Sequence, residues 1–340
     1  MLCKRIIFTK PKVAELLNYE VTEPASDEVQ VKLVRSTISS GTERANLMGS
    51  KTVSWCCPEE KDAHFPRCVG YSSSGVVIKA GENVKNFAIG DRVALSWSTH
   101  SEVLNINAKN VHKLDDCISF SDGALAHIAT FPLAAIRKCC LEIGESAIVM
   151  GMGILGLFAV QLLKVSGAAP IIAVDPNSEK RKKALSIGAD FALDPYAPDF
   201  AKTVKEITNG GANVGIEVTG IGAGLDGILD CMARFGRVAL LGCTRNSDFT
   251  IDYYRKVHGP GVTLIGAHTN ARPDKDSFSG WWTEAEDFEA ILKLTKLGRL
   301  SLSNLVEEVH SPHLAPEVYT RLCEEKTFPI VQFDWSVYNA

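Results

Sequence analysis

The residues with the plainest chemical purpose are Gly151-Met152-Gly153-Ile154-Leu155-Gly156. The apolar run Ala147-Ile148-Val149-Met150 precedes them; an apolar helical pattern, a second apolar run (Ile171-Ile172-Ala173-Val174) and Asp175 follow. Glycines at this spacing permit a tight turn, close backbone approach to a pyrophosphate, and close packing of helix on strand. The first helical N–H groups, those of Ile154, Leu155 and Gly156, then face the phosphates with the positive end of the helix dipole. An acid about 20 residues on, closing the second strand, accepts hydrogen bonds from both ribose hydroxyls and repels a 2′-phosphate. The chemistry implied is dinucleotide-dependent, with NAD rather than NADP as the expected cofactor. Glycines also serve ordinary turns, but here strand, helix, second strand and acid fall in the required order.

Such a site needs a scaffold, and the chain has room for one. With 340 residues, 46% hydrophobic and 22% charged, it can bury substantial cores, and two domains are the natural count. A net charge of −4 and the lack of a long basic run argue against nucleic acid or an anionic membrane as partner, so a small-molecule substrate is expected. No apolar run approaches the roughly 20 residues that span a bilayer, and the start, MLCKRIIFTKPK, lacks the features of a signal peptide; a cytoplasmic location is expected. The ten cysteines include the neighbours Cys56-Cys57 and Cys139-Cys140 but show no CxxC spacing, and read as free thiols. Cys68 is the one candidate for a reactive thiol.

Short β-like runs separated by Pro, Asn, Ser and Asp fill residues 3–34 and predict an antiparallel, partly barrel-like region. Residues 36–49 leave a strand for a short helix, and strand patterns return at 69–81, 84–93 and 103–114. A helix is expected over 122–141, alternating strands and helices from 175 to 265 as in a doubly wound sheet, an amphipathic helix over 287–297, and a last strand within 328–335. Just past the strand ending at Ile265, where open α/β sheets bind ligands, His268, Asn270 and Arg272 suit a polyhydroxylated or anionic substrate, or belong to a solvated loop. Trp282, beside Trp281, could stack on a sugar ring, or serve packing or a dimer contact.

Six segments in order, SGTERANLMG, PRCVGYSSSGVVIKAG, VKNFAIGDRV, GMGILG with Asp175, VGIEVTG and GRVALLG, resemble the medium-chain dehydrogenase/reductase superfamily over nearly the whole chain. SGTER followed by GYSSSG is especially similar to a branch that holds bacteriochlorophyllide dehydrogenases and sugar-linked oxidoreductases. The resemblance implies an α/β fold: a Rossmann domain (residues 122–269) inserted in a GroES-like, mostly antiparallel catalytic domain (residues 1–121 and 270–340). It adds Thr219 and Gly242 to the expected cofactor contacts, and implies a homodimer, or a higher oligomer, joined through Rossmann sheet edges.

The sequence departs from the zinc-binding members of that superfamily at the ligand positions. Ser40 stands where they carry the first Cys, Gly70-Tyr71-Ser72 replaces Gly-His-Glu, and only His127 aligns with a ligand, so no metal is expected. Without a Lewis acid, alcohol oxidation needs a side-chain acid or base at the substrate oxygen. Tyr71 is one candidate, unless its ring merely fills the volume left by the metal. His127 is another, unless it is a hydrogen-bonded helix histidine, and Thr42 occupies the hydroxyl relay position. His268 stands in reserve. Glu43 is a candidate substrate contact; for it, as for His64 and His100, the alternative is a structural role. The function expected is an NAD-dependent, zinc-independent oxidoreductase interconverting a secondary alcohol and a ketone on a polyol, sugar or sugar derivative. The alternatives are an NAD(P)H-dependent enone or quinone reductase and a non-catalytic nucleotide-binding protein.

Overall fold

The structure, a computed structural model, describes residues 1–50 and 65–338, so His64 and the pair Cys56-Cys57 lie outside the described residues. The chain divides into two units, Met1–Ile128 with Leu292–Ala340, and Ala129–Ile291. In chain order the strands of the first unit are β1 (Leu2–Lys10), β2 (Val13–Glu20), β3 (Glu28–Thr37), β4 (Arg67–Cys68), β5 (Ser72–Ala80), β6 (Arg92–Ser96), β7 (Val103–Asn107) and β8 (Val111–Lys113). The second unit holds β9 (Ala147–Met150), β10 (Ile171–Val174), β11 (Phe191–Leu193), β12 (Ala212–Glu217), β13 (Met232–Leu240) and β14 (Thr263–Gly266), and the returning segment adds β15 (Glu308–His310) and β16 (Val331–Asp334). The helices used below are α1 (Ser40–Leu47), α2 (Phe120–Lys138) and α3 (Ile154–Val165).

In the first unit, side chains two apart along a strand share a face, and Val29, Val31 and Leu33 of β3 are all fully buried in one core with Val77, Val93, Leu95 and Phe333. That period joins the strands into a sheet ordered β15-β16-β3-β5-β6-β8, with β7 also on β3, and a smaller sheet ordered β2-β1-β4. Every pairing is antiparallel except β15 with β16. The last strand falls inside the expected stretch.

The second unit is a six-stranded sheet, β11-β10-β9-β12-β13-β14, parallel throughout. Strands buried on both faces read as continuous apolar runs, and Ala147 to Met150 and Ile171 to Val174 are buried at every position. The order reverses between β9 and β12, the place where doubly wound sheets bind ligands at the strands' carboxyl ends. The fold is therefore α/β, a Rossmann-type parallel sheet with a GroES-like antiparallel domain. Among the described residues no helix is long and apolar enough to cross a membrane.

Helix α2 begins earlier and ends sooner than the pattern predicts. Ser119 caps it, accepting the Asp122 N–H (3.0 Å) while its hydroxyl donates to the Asp122 carboxylate (2.5 Å). At the other end Cys140 takes a left-handed φ of 48°, which closes the helix. The unit boundaries also differ from the sequence reading of 121/122 and 269/270. Residues 270–291 group with the parallel sheet because Asp287, fully buried, pairs with Arg137 and with Arg272 (3.0 Å), while Arg272 Nη2 donates to the Thr130 carbonyl (3.0 Å). Burial raises the Asp287 carboxyl, and the two guanidiniums oppose that rise. Removing one partner of a buried ion pair strands the other charge and costs about 3–5 kcal/mol. Asp287→Ala is therefore expected to lower stability on that scale, with Asp287→Asn losing less, in equilibrium urea unfolding at pH 7.

Candidate functional site

In the second unit the glycine loop is built by close backbone approach. Gly151 has φ 102°, open to glycine at little cost, and a Cβ on Gly156 would lie 1.8 Å from the Gly151 carbonyl oxygen. A Cβ on Gly153 would meet nothing within 4 Å, which is the open side that a phosphate needs. Gly153 is the N-cap of α3 and caps it with no side chain, so the N–H groups of Ile154, Leu155 and Gly156, which a helix leaves without a partner of its own, suit an anion.

Two further loops converge there. The buried Glu217 carboxylate, raised by burial, accepts the Thr219 N–H (2.7 Å), the Thr219 hydroxyl and the Gly220 N–H (3.1 Å). It thereby curls the β12 end so that Thr219 Cγ2 lies 3.0 Å from where a Gly151 Cβ would be. Gly242, just beyond β13, packs on the same loop: its Cβ would lie 2.3 Å from the Gly220 nitrogen. Glu217 was present in a quoted motif but carried no predicted role; a lone acid at a strand end gives no sign that it is a loop anchor.

Asp175 is 7% exposed and already accepts two N–H groups, Met152 to Oδ2 and Asn177 to Oδ1, each at 2.8 Å. A carboxylate offers about four acceptor positions, which leaves two for ribose hydroxyls. Arg181 Nη1 is bonded to the Asp175 carbonyl (2.7 Å), the Pro176 carbonyl (2.9 Å) and Asp194 (3.1 Å). These residues fit a dinucleotide.

In the first unit Tyr71 precedes β5, and its hydroxyl donates to Ser39 Oγ. Its ring meets His127 edge-on at 5.7 Å, and Trp97 meets both, at 4.8 Å from His127 and 6.1 Å from Tyr71. The serines of β5 set this arrangement. Ser72 Oγ donates to the Ala124 carbonyl (2.7 Å), Ser74 Oγ to that of Phe120 (2.5 Å), and Thr37 Oγ1 joins at Ala124 (2.7 Å), seating α2 so that His127, buried, stands a turn beyond. Trp97 and Ser39 were missed. Trp97 is 42% exposed with φ 57°, a conformation that costs a non-glycine residue about 1–3 kcal/mol and gathers at functional sites. Ser39 had a signal, a serine just ahead of a helix.

Among the described residues the donors near Tyr71 are hydroxyls and one imidazole, and Ser72 is committed to a carbonyl. Among the described residues no three His, Cys, Asp or Glu side chains gather as a metal site. This donor set does not fit a catalytic zinc, which takes three nitrogen, sulfur or carboxylate ligands.

Other candidates fall elsewhere. Glu43 is 1% exposed and its carboxylate accepts Ser39 N–H (2.9 Å), Tyr319 OH (2.5 Å) and His100 Nε2 (3.1 Å), the structural role given as its alternative. Thr42, its neighbour on α1, is half-buried. In the second unit Arg272 is spent on Asp287 and Thr130 rather than open to an anion. Trp282 has the Arg137 guanidinium 3.7 Å over its ring, which takes one face from any sugar. Asn270 is exposed, and its N–H donates to His268 Nδ1 (3.1 Å); burial, Arg245 and Lys138 hold that imidazole below its ordinary pKa.

Residues 26–140 match the family described as alcohol dehydrogenase GroES-like domain, and residues 155–286 that described as zinc-binding dehydrogenase. The chain is similar to D-guloside 3-dehydrogenase of Escherichia coli (strain K12), 26% identical over 95% of this chain and 96% of that one. It is 27% identical to (R,R)-butanediol dehydrogenase of Bacillus subtilis (strain 168) over 77% of this chain and 79% of the relative. The solved structure of galactitol-1-phosphate dehydrogenase from Escherichia coli superposes with a TM-score of 0.83 at 19% identity, covering 97% of this chain and 99% of that one.

The two glycines predict opposite failures. Gly156→Ala collides with backbone and should cost stability by about 1–3 kcal/mol or more; Gly153→Ala should keep the melting temperature and lose dinucleotide affinity at least tenfold. Thermal unfolding and a fluorescence titration with reduced dinucleotide check both.

Proposed function

Because the chain belongs to the medium-chain dehydrogenase/reductase superfamily, we propose that it is an NAD-dependent, zinc-independent dehydrogenase that interconverts a secondary alcohol and a ketone on a polyol, sugar or sugar derivative. The relatives named above act on CH–OH groups, two of them on sugar or polyol compounds by their names. The observation that carries the reading is the Tyr71 hydroxyl, held by Ser39 and flanked by His127 and Trp97, where zinc-binding members are expected to hold metal ligands. The nicotinamide ring, when bound, accepts the hydride from the carbinol carbon. The residues of this chain manage the rest. Tyr71 takes the hydroxyl proton while its own phenolic proton moves to Ser39 Oγ, which passes its proton on to His127, or to Thr42 from α1, as the C–O bond becomes a carbonyl; in reduction each transfer reverses. Exposed Trp97 offers a flat apolar face to the C–H side of a sugar ring.

NAD is preferred in this account because the two remaining acceptor positions of Asp175 suit ribose hydroxyls and its charge repels a 2′-phosphate, while Arg181 is engaged with neighbouring carbonyls and Asp194. Asp175→Ser should narrow or reverse the preference for NAD over NADP; an unchanged ratio of kcat/KM values contradicts it. The activity itself is tested by NAD reduction across a panel of polyols and sugars before and after dialysis against a chelator, with zinc measured on the same sample. Turnover that survives at far below one zinc per chain is expected. Activity that vanishes on chelation and returns with zinc refutes metal independence, and dinucleotide binding with no turnover on any substrate refutes the enzyme.

A further inference from the structure

Behind Tyr71 lies a buried polar network that the proposed chemistry does not use directly. Glu43 and His100, 1% and 0% exposed, face each other with His100 Nε2 at 3.1 and 3.3 Å from the two carboxylate oxygens. His100 Nδ1 lies 2.7 Å from Ser36 Oγ, which also accepts the Trp335 indole N–H at 2.8 Å. Since an indole only donates, the arrangement that uses every hydrogen has the Ser36 hydroxyl donating to Nδ1 and His100 Nε2 donating to Glu43. Tyr319 adds a third donor to that carboxylate, its phenol kept protonated by burial and by the charge of Glu43.

Two arms reach from this pair to Tyr71. Glu43 Oε1 accepts the Ser39 N–H at 2.9 Å, as the acid of a capping box does, and the Ser39 hydroxyl is thereby free of the capping role its position invites: it makes no cap bond to α1 and instead receives the Tyr71 phenol. His100 holds the other end. Its N–H donates to the Val69 carbonyl at 2.8 Å, and its ring packs against Gly70, where a Cβ would come within 2.8 Å of Cδ2 at a φ of 92°. We propose that the buried Glu43–His100 pair is a positioning device for Tyr71, fixing both the backbone turn that presents the ring and the serine that receives its hydroxyl. The catalytic part of this inference rests on the role given to Tyr71 above; the geometric part does not.

The test uses the full chain labelled with 3-fluorotyrosine, whose Tyr71 fluorine signal is identified by its absence in Tyr71→Phe. Glu43→Gln, which removes the charge, and Ser39→Gly, which leaves the buried pair whole and cuts only the arm to the phenol, should each shift or broaden the Tyr71 signal while that of exposed Tyr196 stays fixed. Turnover should fall tenfold or more with the KM for NAD unchanged, and Glu43→Asp should restore part of it. A Tyr71 signal unmoved in both variants overturns the positioning role. If Tyr71→Phe itself turns over at the wild-type rate, the catalytic assignment fails instead, and the fluorine spectra still decide the geometry.

Discussion

Hydroxyl groups donating to backbone carbonyls seat the start of helix α2 against strand β5, and the candidate site of the first unit depends on that seating. Ser72 and Thr37 share the Ala124 carbonyl, and Ser74 takes that of Phe120. These carbonyls belong to the first turns of the helix, already partners in its own ladder, so the hydroxyls add one bond at Phe120 and two at Ala124 and fix the start of the helix. His127 is placed by this contact and Tyr71 by the strand that makes it. In zinc-binding relatives the same stretch is expected to supply ligands. Here the serines hold secondary structure together, and the polar side chains beside them are a phenol and an imidazole.

Charge in this protein is spent mostly on architecture. Glu43, Glu217, Asp175 and Asp287 are all less than a tenth exposed, and each is surrounded by donors: N–H groups and hydroxyls around Glu43 and Glu217, N–H groups around Asp175, guanidiniums around Asp287. A buried carboxylate is tolerated only when its acceptor positions are filled. Position separates them, because Asp175 closes the strand that follows the glycine turn and bonds the Met152 N–H of that turn, whereas Glu43 and Asp287 are held by side chains and backbone of their own units, away from it.

The parallel sheet, the glycine turn and the acid at its second strand were legible because each rests on local pattern: continuous apolar runs, a glycine that must take positive φ, an acid at a set distance. The β-rich unit was legible from its period of two. The site was legible in part. Tyr71 and His127 were singled out and do meet, but Ser39 and Trp97 were not, since their contacts join residues 32 and 30 positions away and no periodicity announces such a meeting. Glu43 and Arg272 were read as substrate contacts, with a structural role or a solvated loop as the alternative, and the sequence could not choose for the same reason. A charged residue in a loop or motif looks available until its partners, Tyr319 and His100 for one, Asp287 and Thr130 for the other, are brought to it by the fold. The boundary near residue 270 shifted because the Asp287 ion pairs bind the following segment to the parallel sheet's unit, an effect of tertiary pairing with no mark in composition.

The central claim, that a side chain and not a metal handles the alcohol proton, is tested most directly by the pH dependence of hydride transfer in metal-free protein, measured in a single turnover with a deuterated alcohol. The account predicts a limb above about pH 8 for a phenol, or near pH 6 to 7 if the imidazole is the base, lost together with a 10²–10⁴-fold fall in rate in Tyr71→Phe or His127→Ala respectively. A full deuterium isotope effect with wild-type rate and an unchanged profile in both variants contradicts it.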